Sequence, residues 1–291
     1  MLIKRSIQER LFEGINSIIM VFLIIITLYP LLYIIFASLS EPSKLIQHNG
    51  VLLGSLGFDL EAYRQVLKNP AILRGYLNTL FVVITGTSLN LVLTSLGAYA
   101  LSRKDYYGKK LFMFIIIFTM FFNGGLIPFY LLVKGLGLSN SLWALIFPVA
   151  VFSWNLIIMR TSFASIPSSL EESAKIDGAN DFTILFHIVL PLSMPIVAVM
   201  ILYYGVEHWN SWFNAIIFLR NRDLYPIQLI LREILVLNDT HMMTTKVFMD
   251  KESVGETIKY ATVIVATLPI LAVYPFLQKY FVKGIMIGAL K

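Results

Sequence analysis

The chain has 291 residues, of which 57% are hydrophobic and 14% are charged. A soluble domain carries about 25% charged residues, so this chain cannot cover its apolar surface with charge, and its solvent is largely lipid. The net charge is +6, but the basic residues flank apolar runs, and nucleic-acid binding is not indicated. The chain has no cysteine, which excludes disulfides, thiolate metal sites and a cysteine nucleophile.

Six apolar runs are each long enough to cross about 30 Å of hydrocarbon as a helix. The first run exceeds the roughly 7–15 residues of a signal-peptide core, and further runs follow it, so we interpret it as a membrane span. The pattern predicts an all-α membrane protein that forms a single transmembrane domain over residues 1–291. The predicted spans cover residues 15–37, 77–101, 111–133, 142–163, 192–212 and 260–281.

The basic residues predict the orientation of these spans. Six spans place both termini on one side of the membrane, and basic clusters lie at the N-terminus, after the second span and after the sixth span. Because basic residues favour the cytoplasmic side, we expect both termini to be cytoplasmic. Residues 166–191 are then cytoplasmic, and residues 38–76 and 213–259 lie outside. The three clusters are Lys4, Arg5 and Arg10; Arg103, Lys104, Lys109 and Lys110; and Lys279, Lys283 and Lys291.

Residues 166–191 form a polar island between the predicted spans four and five. A capping box predicts a short helix over about 169–177, and Gly178 is placed to end it in a left-handed conformation. Asn180 or Asp181 is predicted to cap a second helix over 182–190, which Pro191 stops. Two overlapping capping boxes are available, Ser168-x-x-Glu171 and Ser169-x-x-Glu172.

The spacing within this island carries a resemblance to a known family. On the physical pattern alone, a long, well-capped loop without a partner is equally compatible. The pattern E-A-A-x3-G-x9-I-x-L-P, however, is similar to the EAA loop of bacterial ABC-importer permeases, with a serine where the second position is usually alanine. We call residues 166–191 the EAA loop. Its matching residues are Glu172, Ser173, Ala174, Gly178, Ile188, Leu190 and Pro191.

The resemblance implies that the first short helix is a coupling helix that docks on a separate cytoplasmic ATPase subunit. Glu172 would cap the helix or pair with a basic residue of that partner, Ala174 would permit close approach, and Gly178 would permit the turn. We also expect Glu171, which directly precedes the motif, to be a coupling residue. ATP and magnesium would then be bound by the partner subunits, with no cofactor in this chain.

Further segments resemble a branch of carbohydrate permeases that import complex oligosaccharides, including uronic-acid-containing ones. The branch implies a second related permease chain, two ATPase subunits, and an extracellular lipoprotein or periplasmic substrate-binding protein as partners. The outer regions 38–76 and 213–259 would face that binding protein. The segments are N-G-G-L-I-P at 123–128, L-V-K-G-L-G-L at 132–138, H-W-N-S-W-F at 208–213 and L-Y-P-I-Q-L-I-L-R-E-I-L at 224–235.

The end of the fifth predicted span holds the candidates for a substrate pathway. Glu207 lies about 22 Å along that helix, where a charge requires a wet cavity, a partner subunit or the headgroup zone. Trp209 and Trp212 can stack on sugar rings or form an interfacial aromatic belt, and Asn210 can bind hydroxyl groups. The remaining candidates are His208, Asn123 and Asn78. Asn123 precedes a glycine pair that indicates either a broken helix at a binding site or a packing contact. Asn78 belongs, with Asn90, to a polar series along the second span that packing between helices also explains.

The absent motifs exclude other functions. The chain has no G-x-x-x-x-G-K-[ST], HExxH or G-x-S-x-G sequence, so its energy source lies on another subunit and no catalytic residue is assigned. Its four histidines are scattered, and no metal site is predicted. The resemblance thus implies a permease subunit of an ATP-driven oligosaccharide importer in a bacterial cell membrane. An ABC permease for another solute class and a secondary transporter are the alternatives.

Overall fold

The structure is a computed structural model that describes residues 7–103, 107–236 and 251–289, and the secondary structure of these residues is helical. The predictions for Lys4, Arg5, Lys104, Lys291 and residues 237–250 lie outside them. The helices are α1 (Ile7–Ser38), α2 (Pro42–Gln47), α3 (Glu61–Lys68), α4 (Pro70–Ser102), α5 (Lys109–Phe121), α6 (Leu126–Gly135), α7 (Ser153–Ala164), α8 (Ser168–Ile176), α9 (Asp181–Ile184), α10 (Leu190–Leu192), α11 (Met194–Trp209), α12 (Trp212–Phe218), α13 (Ile227–Val236) and α14 (Lys251–Ala289).

The chain divides into two compact units. The first comprises residues Met1–Asn69 and Glu233–Thr267. Its α1 covers the predicted first span, and apolar side chains such as Ile18, Phe22 and Ile25 are exposed along it. A helix with exposed apolar side chains over most of its length is suited to a lipid environment. A small core forms where α1 ends, with Ala37, Leu45 and Leu52 buried.

The second unit comprises Pro70–Arg232 and Leu268–Lys291 and is organised around α4. Helices α7 and α11 pack along α4, and the EAA loop closes the core at one end. Small and polar residues of α4, such as Gly86 and Asn90, allow this close packing, which is typical of helices in membranes. The buried core includes Ala98, Tyr99, Leu156, Met159, Phe163, Ala174, Ile184, Leu185, Val189, Met200 and Tyr204.

Among the residues that the structure describes, three helices are long and apolar enough to cross a membrane by themselves: α1, α4 and residues Gly255–Val273 within α14. Three bent helix pairs in the same described ranges raise the number to six if each pair is one span. Bends divide the third and fourth predicted spans, and the third bend lies at the start of the fifth. The bends are 115° between α5 and α6, 50° before α7, and 87° between residues 181–192 and α11.

Each bend has a local cause in the sequence. Between α5 and α6, Gly125 has a φ of +86°, and the Asn123 side chain accepts a hydrogen bond from its N–H at 2.9 Å. Before α7 lie two short 3₁₀ turns, and the second contains Pro148, which lacks an N–H for a regular helix. Before α11, Pro191 and Pro195 flank the bend at Ser193. The apolar periodicity alone does not reveal these breaks, although the sequence allowed a broken helix at Asn123-Gly124-Gly125.

Buried side chains satisfy the backbone at the break before α7. The Asn90 amide donates to the carbonyls of Val149 and Ala150 at 2.7 and 2.8 Å. The Tyr204 hydroxyl accepts from the Phe152 N–H at 3.4 Å and lies 2.6 Å from the Thr94 hydroxyl. Since an unpaired backbone group is costly in a lipid environment, these side chains of α4 and α11 stabilise a break that would otherwise be unfavourable.

Candidate functional site

The first helix of the EAA loop is α8, which begins one residue earlier than predicted and ends at Ile176. Its N-cap is Pro167, and no side chain caps the helix, so both predicted capping boxes are wrong. The carboxylate of Glu171 instead forms an ion pair with Arg103. The guanidinium carries a full positive charge, so in this largely buried site it attracts the carboxylate more strongly than a neutral backbone N–H does.

The predicted end of α8 is confirmed in detail. Gly178 has a φ of +85°, and the Ala179 N–H donates to the Ala174 carbonyl at 2.9 Å while the Gly178 N–H donates to the Lys175 carbonyl at 3.1 Å. This pair of bonds is the Schellman motif, which favours glycine at the left-handed position. A Cβ atom at Gly178 would meet nothing within 4 Å, so a side chain there would project away from the chain.

The second helix starts as predicted but does not continue as one regular helix. The Asn180 side chain caps it by accepting from the Thr183 N–H at 2.8 Å. Helix α9 then passes into a π turn over Leu185–Val189, and α10 carries the chain beyond Pro191 to Leu192. The predicted stop at Pro191 is therefore wrong. A proline ends a helix by interrupting its regular hydrogen bonds over four residues, and the π turn before Pro191 has already shifted those bonds to five residues.

Helix α8 presents two different faces. Ala174 is buried in the core of the second unit, so its small side chain permits close approach of α8 to the chain's own spans. Ile188 and Leu190 pack against the same core, whereas Pro191 is exposed. On the opposite face Glu172 and Ser173 are exposed, and Ile176 is 87% exposed. An exposed apolar residue between polar ones on a short helix is typical of a contact surface.

Arg103 joins this helix to the ends of two spans. Its ion pair with Glu171 leaves the side chains 19% and 12% exposed. Its guanidinium also donates to the Phe163 carbonyl at 3.4 Å and lies 4.6 Å above the Tyr99 ring. Desolvation by burial lowers the pKa of Arg103, and the electrostatic influence of Tyr99 and Asp181 opposes that shift; a guanidinium stays protonated in proteins. A cleft of about 620 Å³ beside it is lined by residues of α4, α8 and α9.

The predicted pathway residues at the end of α11 differ in their exposure. Glu207 and Asn210 are exposed, and the Asn210 amide donates to the Val206 carbonyl at 2.9 Å. His208 is buried, with its Nε2 2.6 Å from the Asn90 Oδ1. A Cβ atom at Gly86 would lie 2.5 Å from the same ring nitrogen. The structure therefore gives His208 a role in packing α11 on α4.

The remaining pathway candidates lie at three separate places. The Asn78 amide donates to the carbonyls of Asp223 and Tyr225 at 2.8 and 3.1 Å, so it holds the segment before α13. Asn123 forms the turn between α5 and α6 described above. The Trp212 ring lies under the Arg232 guanidinium, 4.1 Å from it. Each contact fixes the chain's own structure, as the interhelical interpretation of the polar series predicts.

Trp209 lines a groove on α4, α11 and the end of the span in α14. The groove has a volume of about 440 Å³, is mainly apolar and also contains Thr87 and Pro269. The Trp209 Nε1 and the Thr87 Oγ1 are buried without a hydrogen-bond partner in the part of the chain that the structure describes. Buried polar atoms normally have partners, so the described chain leaves two polar groups unsatisfied at the wall of this groove. No metal-ligand cluster occurs among the described histidines and acids.

Sequence reasoning missed the residues that connect the elements. Arg103 was assigned only to orientation, Asn90 only to a polar series, and Tyr99 and Tyr204 not at all. Their side chains act between helices that are distant in the chain, and only the tertiary structure reveals the pairs. The available signal was polarity within an apolar run, which indicates a buried partner without identifying it.

Comparison with known proteins identifies the family. Residues 4–287 match the model of the binding-protein-dependent transport system inner membrane component. The polygalacturonan/rhamnogalacturonan transport system permease protein YtcP of Bacillus subtilis is 42% identical over 98% of this chain and 99% of its own length. The protein LplC of the same organism is 40% identical over 91% of this chain and 90% of its own length.

A solved structure supports the same assignment. The chain is 33% identical, with a TM-score of 0.87, to a chain in the crystal structure of a bacterial ABC transporter involved in the import of the acidic polysaccharide alginate. The match covers 95% of this chain and 99% of that one. The chain belongs to the family of inner-membrane components of binding-protein-dependent transport systems. It is a permease component of an ABC importer and not an enzyme.

Proposed function

We propose that this permease imports oligosaccharides that carry uronate groups, and that it is driven through the exposed face of α8. The observation that carries the proposal is the geometry of the EAA loop. Its motif residues Glu172 and Ser173 and the neighbouring Ile176 are presented to the surroundings, while Glu171 and Ala174 attach the helix to the chain's own spans. A short helix that is fixed on one face and exposed on the other suits a docking element.

The proposed topology places both termini and the EAA loop in the cytoplasm. The bent pair of α5 and α6, the bent pair that ends in α7, and α11 are then the third, fourth and fifth membrane segments. The exposed face of α8 then meets a cytoplasmic ATPase subunit. The complete importer comprises this chain, a second related permease, two ATPase subunits with ATP and magnesium, and an external lipoprotein or periplasmic binding protein. The outer regions 38–76 and 213–259 face the binding protein. ATP and the loaded binding protein together shift the population from inward-facing to outward-facing states.

The substrate class rests on the relatives and on the end of α11. Two of the relatives are named for the transport of polygalacturonan and alginate, both of which contain uronates. The groove offers an indole ring, the unpartnered Trp209 Nε1 and the Thr87 hydroxyl, and aromatic faces with nearby donors suit sugar rings. Glu207 and Asn210 are exposed beside it. Import of a neutral oligosaccharide is the alternative that the same geometry allows.

Co-purification tests the transport assignment. We expect the detergent-extracted chain to bring down an ATPase subunit together with the second permease. Gly178→Arg should abolish this association and ATP-driven transport in proteoliposomes without loss of membrane insertion, because the new side chain projects into the docking face. Gly178→Ala carries the same left-handed backbone strain without the bulk, and we expect it to retain association. Normal association of the arginine variant would contradict docking at this surface.

Uptake of labelled oligosaccharides tests the substrate class. We expect galacturonate or other uronate oligomers to be imported in preference to neutral oligomers of equal length. Trp209→Leu should raise the KM for transport with retention of ATPase association, since it removes the indole from the groove and leaves α8 unchanged. Equal uptake of neutral and acidic oligomers would contradict the uronate assignment and leave the ABC permease assignment intact.

A further inference from the structure

Arg103 occupies the point where three elements of the second unit end or begin. It directly follows the last residue of α4, it binds the carbonyl of Phe163 near the end of α7, and it forms an ion pair with Glu171 in the first turn of α8. This position makes Arg103 a direct polar link between the EAA loop and the two spans.

The geometry of the guanidinium is fixed from several sides. Its Nε donates to the Ser102 hydroxyl at 2.9 Å, its plane lies 4.6 Å from the Tyr99 ring centroid, and its Nη2 donates to the Phe163 carbonyl. The Arg103 carbonyl in turn accepts from the Lys109 Nζ at 3.1 Å. A planar, multiply bonded guanidinium loses little additional entropy when it binds a carboxylate. The link is therefore stiff.

A second contact reinforces the same connection. The Tyr99 hydroxyl, one helical turn before Arg103, donates to the Asp181 carboxylate at 3.4 Å. Asp181 begins α9 and also lies 3.9 Å from the Lys175 Nζ on α8. The last turn of α4 is thus joined to both short helices of the EAA loop, by Arg103 to the first and by Tyr99 to the second.

We infer that the Arg103–Glu171 ion pair transmits the movement of α8 to α4 and α7, so that Arg103 is a positioning residue for coupling and not a docking residue. The inference rests on the proposed docking of α8. Glu171 lies on the inward face and Glu172 on the exposed face, so the two adjacent glutamates have different roles. Without the ion pair, the ATPase still binds the exposed face and moves α8. In that case α8 moves relative to α4 and α7 and does not carry these spans with it.

The test is the ratio of sugar transported to ATP hydrolysed by the complete importer in proteoliposomes, with the binding protein present. Arg103→Gln and Glu171→Gln should each lower this ratio by at least about fivefold, while the amount of co-purified ATPase stays at the wild-type level. A folding defect would lower transport and hydrolysis together, so the ratio separates transmission from folding. Arg103→Lys, which keeps the charge, should recover part of the ratio.

A double variant and a control complete the experiment. Arg103→Gln with Glu171→Gln should be no worse than the more severe single variant, because both changes remove the same link. Lys110→Gln removes a neighbouring exposed charge at the start of α5 and should leave the ratio unchanged. A wild-type ratio in Arg103→Gln, or loss of the ATPase from that variant, would overturn the inference. A wild-type chain that never associates with an ATPase would instead contradict the proposed function itself.

Discussion

The two ends of α4 are held by different physical means. At the C-terminal end, a half-buried ion pair between Arg103 and Glu171 joins α4 to α8. At the N-terminal end, Arg74 and Asp223 also form an ion pair, but their side chains are 59% and 63% exposed. Breaking a buried pair leaves an uncompensated charge, whereas an exposed pair is screened by water. The same residue chemistry therefore has a large effect at one end and a small one at the other.

At the N-terminal end of α4, close packing against α13 holds the helix more firmly than the exposed ion pair does. A Cβ atom at Gly75 would lie 2.6 Å from the Ile230 Cδ1 and 3.2 Å from the Ile227 Cα, so α13 approaches α4 at a glycine. The Ile227 N–H donates to the buried Thr79 hydroxyl at 2.9 Å. The N-terminal end is therefore held by packing and a backbone N–H, while the C-terminal end also relies on the charged and polar contacts of Arg103 and Tyr99.

The largest effect is expected for Arg103→Ala. The change leaves the Glu171 carboxylate half-buried without its partner, and we expect a loss of about 3 kcal/mol in the free energy of unfolding. Reversible unfolding in mixed detergent micelles measures this loss. Arg103→Lys is the matched control and should lose less, because it keeps the charge while giving up the guanidinium fork. An unchanged free energy in the alanine variant would mean that the two ends are held alike.

An intermediate effect is expected for Gly75→Ala. The added methyl group meets the Ile227 backbone, which cannot move aside as a side-chain end can, and overpacking of this kind costs about 1–3 kcal/mol. The same unfolding assay measures the loss. Gly135→Ala is the matched control, since a Cβ atom there meets nothing within 4 Å, and its stability should not fall. Equal behaviour of the two glycine variants would contradict close packing at this end.

The smallest effect is expected for Arg74→Gln. The exposed pair with Asp223 contributes no more than about 1 kcal/mol, and salt should reduce that contribution further. Unfolding at low and high salt measures both quantities. A loss as large as that of Arg103→Ala would show that exposure does not distinguish the two ion pairs and would remove the basis of the comparison.

Local sequence predicted the parts of the EAA loop that local physics determines. Gly178 and Asn180 act within a few residues of themselves, through a left-handed φ and a cap on Thr183, and both predictions are confirmed. The capping boxes are also local patterns, yet they do not form. The Glu171 carboxylate could bind either a backbone N–H of its own helix or the guanidinium of Arg103, which is distant in the sequence. Only the folded chain reveals that this guanidinium is close in space.

The membrane spans show the same limit. Apolar length predicts α1 and α4 well, because a long apolar run suffices for a helix in lipid. The break before α7 is stabilised by Asn90 and Tyr204, which lie far from it in the chain. Composition does not reveal which polar side chain meets which interrupted backbone. Similarly, His208 is a candidate pathway residue from the sequence alone. Its contact with Asn90 in the structure shows that it packs between helices.

Photo-crosslinking from α8 tests the central claim, that the exposed face of this helix receives the ATPase, most directly. A genetically encoded benzophenone residue in place of Ile176 is predicted to crosslink to an ATPase subunit in intact membranes. The same residue in place of Leu73, which is exposed at the opposite end of α4, should give no such product. Crosslinking of the ATPase from both positions, or from Leu73 alone, would contradict the account.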